Sequence, residues 1–478
     1  MILSKKSTLV AFVLFFALII RAYNINYDNL WFDEILSFWI TDPKLSMGES
    51  LWRHSQIEQI PFLYHLILKI NFNNFIYDSF YGRFLSLIFN ILGIIFSAIL
   101  IKKITKNNSY LLAFFLFASN IFLIGYAQEM RPYSMVFFFT SLNLYLFYLF
   151  IDKKKFEKFN FKYFLTISTA QILLIISHPF CYIVFFSFIL YLLKKFIKKE
   201  HINRTLYFSI LFVLIISLFY LSYLFLTLKS FPTWITQPDL KFFTNFYFSK
   251  FFGSRLIGLV HLIILLTLIA LYFFKKNEKK IDFLKVFIII IFLSYTLPIV
   301  YGFLFRPIIF PRYIIFVLIP IISLISILIF DIKNQIIKIS LITLLVVLNF
   351  GNHFTEGTFK QFLNKRTYYK PNFEIMSNII TSSETKNYFI NMNIKNESAA
   401  YMATNNYINV LNKEKIRKPL NTTKESFYNS IYKKAWVICL PNVVKDKCAK
   451  NKTIFKKNFI LEENAPGINM ILISNEIK

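Results

Sequence analysis

The sequence predicts a polytopic α-helical membrane protein with about eleven transmembrane helices, each near 20 apolar residues, and a small C-terminal extracytoplasmic α/β domain. Three observations carry this. Hydrophobic residues make up 56% of the chain, with 60 Phe among them, well beyond the roughly half-apolar composition of soluble domains. Apolar runs recur through residues 1–350 and then stop. The basic residues between the runs gather in short clusters, all of which fall on one side if every run crosses the membrane once.

The first run, 8–20, follows Lys5 and Lys6 and ends at Arg21. It is as short as a signal-peptide core, but no small-x-small cleavage site follows, so it is read as the first crossing with the N-terminus inside. Residues 23–79 hold few basic residues and form a first outer loop, with an amphipathic stretch at 46–56. Further crossings are expected at 80–101, 111–125, 133–151, 163–177, 180–193, 205–228, 256–274, 283–300, 313–330 and 336–350. Lysine clusters at 102–106, 153–155, 194–199 and 275–280 punctuate them on the inner side. An odd number of crossings leaves 351–478 outside, with short apolar runs such as 388–390, 435–440 and 470–473, and its alternating strand-like and helix-like stretches suggest a small α/β domain. The expected division is a transmembrane catalytic domain over 1–350 and an extracytoplasmic α/β domain over 351–478.

The net charge of +29 raises nucleic acid as a partner, but basic clusters between apolar runs are what orientation in a membrane requires, so none is expected. With three Cys in the chain, no disulfide framework defines the fold. An oxidising compartment allows Cys439 and Cys448 to pair, and two separate thiols remain the alternative.

The outer helix ends and loops collect Asp33, Glu34, Glu58, Arg83, Gln128, Glu129, Arg131, His178, Arg306 and Arg312, while the inner loops carry almost only lysine. Such groups are costly near hydrocarbon. Each has a structural reading: an interface anchor around Trp31 and Trp39 for the acidic pair, a capped ion pair at 128–133, an interface histidine at His178, headgroup binding by Arg306 and Arg312. Together they suit one reaction, transfer of a sugar from a lipid phosphate to a hydroxyl. The attacking hydroxyl needs a carboxylate base. The departing phosphate gains negative charge and needs fixed cations, but little protonation. No Gly-rich phosphate loop, Cys/His cluster or Asp-x-Asp motif is present, so a nucleotide-sugar donor is disfavoured and neither metal nor cofactor is expected.

These residues also carry a resemblance. Leu30-Trp31-Phe32-Asp33-Glu34 resembles the Leu-Trp-x-Asp-Glu first-loop motif of the GT-C fold polyprenyl-phosphate-sugar-dependent glycosyltransferases, in the family 39 branch of protein O-mannosyltransferases and aminoarabinose transferases. Pro61-Phe62-Leu63-Tyr64 resembles its Pro-Pro-Leu-Tyr segment, with Ile60 and Phe62 as departures, and Arg83 falls where a family Arg opens the next helix. Gln128-Glu129-Met130-Arg131-Pro132-Tyr133 looks like its Gln-Glu-x-Arg-x-Tyr turn, and Pro311-Arg312-Tyr313 like its later Pro-Arg-Tyr motif. The order agrees over 1–350, with a looser fit beyond.

The resemblance implies that Asp33 is the catalytic base, assisted by Glu34, with Glu129 a second acidic group. It implies substrate binding by Arg83, Arg131, Tyr133, His178, Arg306, Arg312 and Tyr64, with Arg131 and Arg312 on the lipid phosphate. The activity implied is that of an inverting glycosyltransferase at the outer face of the cytoplasmic membrane. Its partners would be a polyprenyl-phosphate-linked sugar donor, membrane lipids and a hydroxyl acceptor on a glycolipid, glycan or protein. A transporter or flippase of lipid-linked sugars is the main alternative, and a non-catalytic assembly subunit a third. Transporters place ionisable groups at mid-membrane on Gly- or Pro-broken helices, whereas this chain has ten Gly and its acidic and Arg positions lie at helix ends.

Overall fold

The computed structural model describes residues 5–23, 25–26, 30–58, 60–151, 159–228, 235–240, 242, 248–274, 281–355, 373–382, 388–390, 433–439, 459–465 and 468–474. The lysines at 153–155 and 275–280, and Cys448, lie outside these residues. The chain divides into two compact units. One comprises Met1–Asn24, Gln59–Tyr64 and Arg83–Asn364; the other gathers Ile25–Glu58 and His65–Gly82 with Lys365–Lys478.

In chain order the helices are α1 (Lys5–Ala22), α2 (Phe32–Ile40), α3 (Met47–Ile57), α4 (Leu63–Asn74), α5 (Ser79–Thr105), α6 (Ser109–Ser119), α7 (Ile121–Ala127), α8 (Tyr133–Ile151), α9 (Phe161–Ile175), α10 (Tyr182–Ile197), α11 (Arg204–Leu228), α12 (Phe248–Phe251), α13 (Arg255–Phe274), α14 (Leu284–Leu304), α15 (Leu318–Phe330), α16 (Gln335–Thr355) and α17 (Phe373–Ser382). Among the described residues, eight helices are long and apolar enough to cross a membrane, and up to nine if the bent pair α6 and α7 is one span. The remaining apolar runs form α1, of 18 residues, and α9, of 15. The protein has a multi-pass membrane fold.

Two stretches differ in detail from what the sequence predicts. The run 111–125, expected as one crossing, bends by 56° between α6 and α7. Asn120 supplies the reason, because its Oδ1 accepts the Leu123 N–H at 3.0 Å and so starts a new helix inside an apolar run. The segment 23–79, expected as a loop, is itself helical over α2, α3 and α4. A capping box opens α3: the Glu49 carboxylate accepts the Ser46 N–H at 2.8 Å and Ser46 Oγ accepts the Glu49 N–H at 3.2 Å. The bonds from Ser46 hold the Glu49 carboxyl below its ordinary range.

In the first unit, small and polar residues set the approach of α5 to α8. Ser97 and Ser141 share a hydrogen bond at 2.9 Å, and Asn90 Nδ2 donates to Ser134 Oγ at 3.2 Å. Between them a Cβ on Gly93 would lie 2.4 Å from the ring of Phe137, which is fully buried. Small residues at a helix seam allow this close contact in lipid. Gly93→Leu is expected to overpack the seam, cost about 1–3 kcal/mol, and lower the melting temperature of the detergent-purified protein.

Asp282 lies just ahead of α14. Its carboxylate accepts bonds from Tyr191 Oη at 2.6 Å, from Lys194 Nζ at 3.0 Å and from Lys285 Nζ. Burial opposes the charge, but the bonds from Lys285, Tyr191 and Lys194 win and hold the carboxyl well below its usual range. A depressed carboxyl contributes stability above its unfolded value, near about 4, and loses it as pH falls through the folded value. Acidification from neutral pH to below about 4 should therefore lower the melting temperature of the wild type more than that of Asp282→Asn.

In the second unit the described strands form a sheet of order β1-β2-β4-β3, built from Tyr388–Ile390, Lys434–Cys439, Phe459–Ala465 and Ile468–Ser474. β1 runs parallel to β2, and the other pairs are antiparallel. Trp436, Val437, Ile438, Met470, Ile471 and Ile473 are buried, as are Phe373, Met376 and Ile380 of α17, which packs on β3 and β4. An apolar helix face against an apolar sheet is how so few residues enclose a core. Cys439 closes the β2 ladder opposite Asn469.

Candidate active site

Within the first unit, the turn after α7 and the segment before α15 bring most of the expected substrate-binding residues together. Glu129 and Arg131 lie in the turn between α7 and α8, where the Arg131 N–H donates to the Glu129 carbonyl at 2.8 Å. Arg131 is buried at 5% exposure, so burial of its charge in this place is a deliberate cost. Its carbonyl lies 3.5 Å from Ser86 Oγ, which in turn lies 3.2 Å from the hydroxyl of buried Tyr64. Arg83 sits one turn before Ser86 on α5 and is also buried; residues three apart share a helix face.

Tyr133 opens α8 and is buried. Its ring centroid is 5.1 Å from Tyr126, 6.3 Å from His178 and 6.3 Å from Tyr313. His178 caps the 3-10 turn Pro179–Cys181, its Nδ1 accepting the Phe180 N–H at 3.2 Å, and its ring lies 5.2 Å from Tyr313. Arg312 belongs to a second 3-10 turn, Pro311–Val317. Its guanidinium carbon stands 5.6 Å from the Tyr133 ring, 5.0 Å from Phe310 and 5.7 Å from Tyr313. Rings at these distances favour a cation among them, and a guanidinium offers a planar fork of donors that suits a phosphate. Arg306 is half-exposed in the extended connection ahead of this turn.

Within the second unit, Asp33 and Glu34 occupy the first turn of α2, where the helix dipole favours negative charge. Asp33 is partly exposed. Glu34 is fully buried, and its Oε2 accepts the Trp31 N–H at 3.4 Å. The far end of α2 is clamped by side chains. Thr41 Oγ1 donates to the Ser37 carbonyl at 2.6 Å, Tyr77 Oη to Phe38 at 2.6 Å and Arg53 Nη1 to Trp39 at 2.8 Å. These satisfy carbonyls that a helix end otherwise leaves open. Lys69 Nζ donates to the carbonyls of Asp42 and Leu45, both at 2.9 Å, and holds the turn that follows. Burial pushes the Arg53 guanidinium and the Lys69 ammonium below their ordinary values, with Asp42 opposing in both cases. Ser37 Oγ donates to the Asp33 carbonyl at 3.2 Å and shares a bond with His65 Nε2 at 3.4 Å. Asp33 is thereby placed on a short helix whose other end cannot drift.

Several contributors carry no signal in the sequence. Ser86 is marked there only as the residue three after Arg83. The ring partners Tyr126, Phe180 and Phe310 are indistinguishable from the many other aromatics, whereas Tyr313 belongs to the Pro-Arg-Tyr motif. His65, fully buried beneath α2 with its ring 5.1 Å from that of His54, follows Tyr64 directly but belongs to no pattern. Among the described residues, no group of three or more His, Cys, Asp or Glu is arranged to hold a metal ion.

No family model matches the chain, and no curated protein matches its sequence. Its fold does match solved structures. The crystal structure of ArnT from Cupriavidus metallidurans in the apo state aligns with a TM-score of 0.59 at 9% identity, covering 99% of each chain. The same protein bound to undecaprenyl phosphate aligns with a TM-score of 0.56 at 9% identity, covering 98% of each. The chain, from its first helix through its C-terminal sheet, has the GT-C fold of the ArnT structures.

Proposed function

We propose that the protein is an inverting glycosyltransferase that moves a sugar from a polyprenyl-phosphate carrier to a hydroxyl acceptor at the outer face of the cytoplasmic membrane. The observation that carries this is the Arg312 guanidinium within cation–ring reach of Tyr133, in the same unit as the buried Arg131 turn. The ArnT fold supports it, since one of those structures holds undecaprenyl phosphate. Residues 1–350 would be the catalytic domain and 351–478 an extracytoplasmic domain, with the N-terminus inside.

In this reading the acceptor hydroxyl attacks the anomeric carbon from the face opposite the phosphate. Asp33 takes the hydroxyl proton as the new glycosidic bond forms. The bond from the anomeric carbon to the phosphate oxygen breaks, and its electron pair leaves on the carrier phosphate. Arg131 and Arg312 meet that developing charge, which is where fixed cations stabilise a transition state more than a ground state. Glu34 assists Asp33, Glu129 is a second acidic group, and Tyr64, Arg83, Tyr133, His178 and Arg306 hold donor and sugar.

A structure of the protein with undecaprenyl phosphate added tests the proposal. Phosphate density against the Arg131 and Arg312 side chains is the expected result. A headgroup bound elsewhere, with those side chains unchanged, would sink the phosphate assignment.

A further inference from the structure

One fully buried cation has no place in the reaction just described. Arg21, at the end of α1, is 0% exposed, and among the described residues no carboxylate lies within ion-pair distance of it. Its charge is met by dipoles instead. Nε donates to Asn90 Oδ1 at 2.9 Å, Nη1 to the carbonyls of Ala118 at 2.7 Å and Ala17 at 3.2 Å, and Nη2 to the carbonyl of Phe117 at 3.0 Å. Phe117 and Ala118 belong to the last turn of α6, where carbonyls lack helical partners and the dipole is negative. Arg21 therefore caps α6 at the 56° break. His353 Nε2 lies 2.8 Å from the next carbonyl, that of Ser119.

The same residue reaches both ends of α7. At its start, Asn90, held by Arg21, donates Nδ2 to the Leu123 carbonyl at 3.0 Å. At its finish, Gln128 Nε2 donates to the carbonyl of Arg21 itself at 3.1 Å. Asn90 Nδ2 also meets Ser134 Oγ, which donates to the Tyr126 carbonyl at 2.9 Å. The turn carrying Glu129 and Arg131 springs directly from the end of α7 that these bonds fix. A buried Arg in hydrocarbon is expensive unless its donors are used, and here two bonds go to the last turn of α6, one to Ala17 and one to the Asn90 side chain that in turn reaches α7.

We propose that Arg21 is a positioning residue for the lipid-phosphate site: through the α6 carbonyls and Asn90 its guanidinium sets the angle of α7 and so the placement of Arg131. This rests on the assignment of Arg131 to the carrier phosphate.

The test is a double-mutant cycle on the full-length protein in detergent, read by undecaprenyl phosphate binding and by melting temperature. Arg131→Ala alone should weaken binding about 10–100-fold, the range for a lost charge-assisted bond. Arg21→Gln should weaken it about tenfold in the wild type but add little in the Arg131→Ala background, because it acts through Arg131. Asn90→Ala removes the side chain that Arg21 Nε holds and that reaches the Leu123 carbonyl, and should show the same dependence on Arg131 at smaller size, so it carries the test if Arg21→Gln does not fold. Losses that simply add to that of Arg131→Ala, or an unchanged affinity in Arg21→Gln and Asn90→Ala, would overturn the inference while leaving the phosphate assignment intact. Unchanged affinity in Arg131→Ala would overturn the assignment itself.

Discussion

Asp33→Asn should leave the protein inserted and folded while cutting sugar transfer by about 10²–10⁴-fold, the usual worth of a general base. Asparagine keeps the shape of the side chain and gives up the interaction of a first-turn charge with the helix dipole, about 0.3–1 kcal/mol. The far end of α2 is held by Thr41, Tyr77 and Arg53, which reach the carbonyls of Ser37, Phe38 and Trp39, and those bonds do not use the Asp33 carboxylate. The substitution removes the negative charge and with it the ability to take a proton. Glu34→Gln should behave differently. Glu34 is fully buried and bonded to the Trp31 N–H, so its loss should appear first in stability. Transfer from a polyprenyl-phosphate donor, measured beside melting temperature, separates the two. Full transfer by a folded Asp33→Asn protein would remove Asp33 as the base. Normal transfer with a loss only of carrier translocation would point to a flippase.

Much of the fold is legible in the sequence because lipid imposes a strict rule. Each apolar run must satisfy its backbone internally and becomes a helix. The runs at 80–101, 256–274 and 336–350 accordingly lie inside α5, α13 and α16. The break at Asn120 was hidden because a single capping side chain, inside a run that is apolar on either side, does not change the run's hydropathy. The helices of 23–79 were partly legible, since Ser46 and Glu49 form a capping box that can be seen in sequence. Candidate site residues were legible where charge is costly, as at Arg131 and Arg312. Ser86 and His65 were not, because a polar residue of ordinary size acquires meaning only from what it touches. Arg21 shows the same limit. In sequence it ends an apolar run like any basic flank, yet in the structure it is fully buried.

Replacement of Arg312 is expected to have the second large effect, and its size depends on the replacement. Arg312→Ala removes the cation and the side chain that fills the space over Tyr133, Phe310 and Tyr313. A single oxyanion-stabilising donor is worth about 10²–10³ in kcat, and a charge lost from a phosphate site should fall in that range. Carrier affinity should fall less, about 10–100-fold, because the phosphate gains negative charge as the bond to the sugar breaks. Arg312→Lys discriminates between charge and geometry. An ammonium keeps the charge but not the planar fork. If the rings serve to hold the fork against the phosphate, Lys should recover affinity for undecaprenyl phosphate while kcat stays well below wild type. If only charge matters, Lys should recover both. Equal losses in affinity and kcat for Ala and Lys alike would mean that Arg312 supports the Tyr133 and Tyr313 packing instead of the reacting phosphate, and the melting temperature of both variants should then drop together.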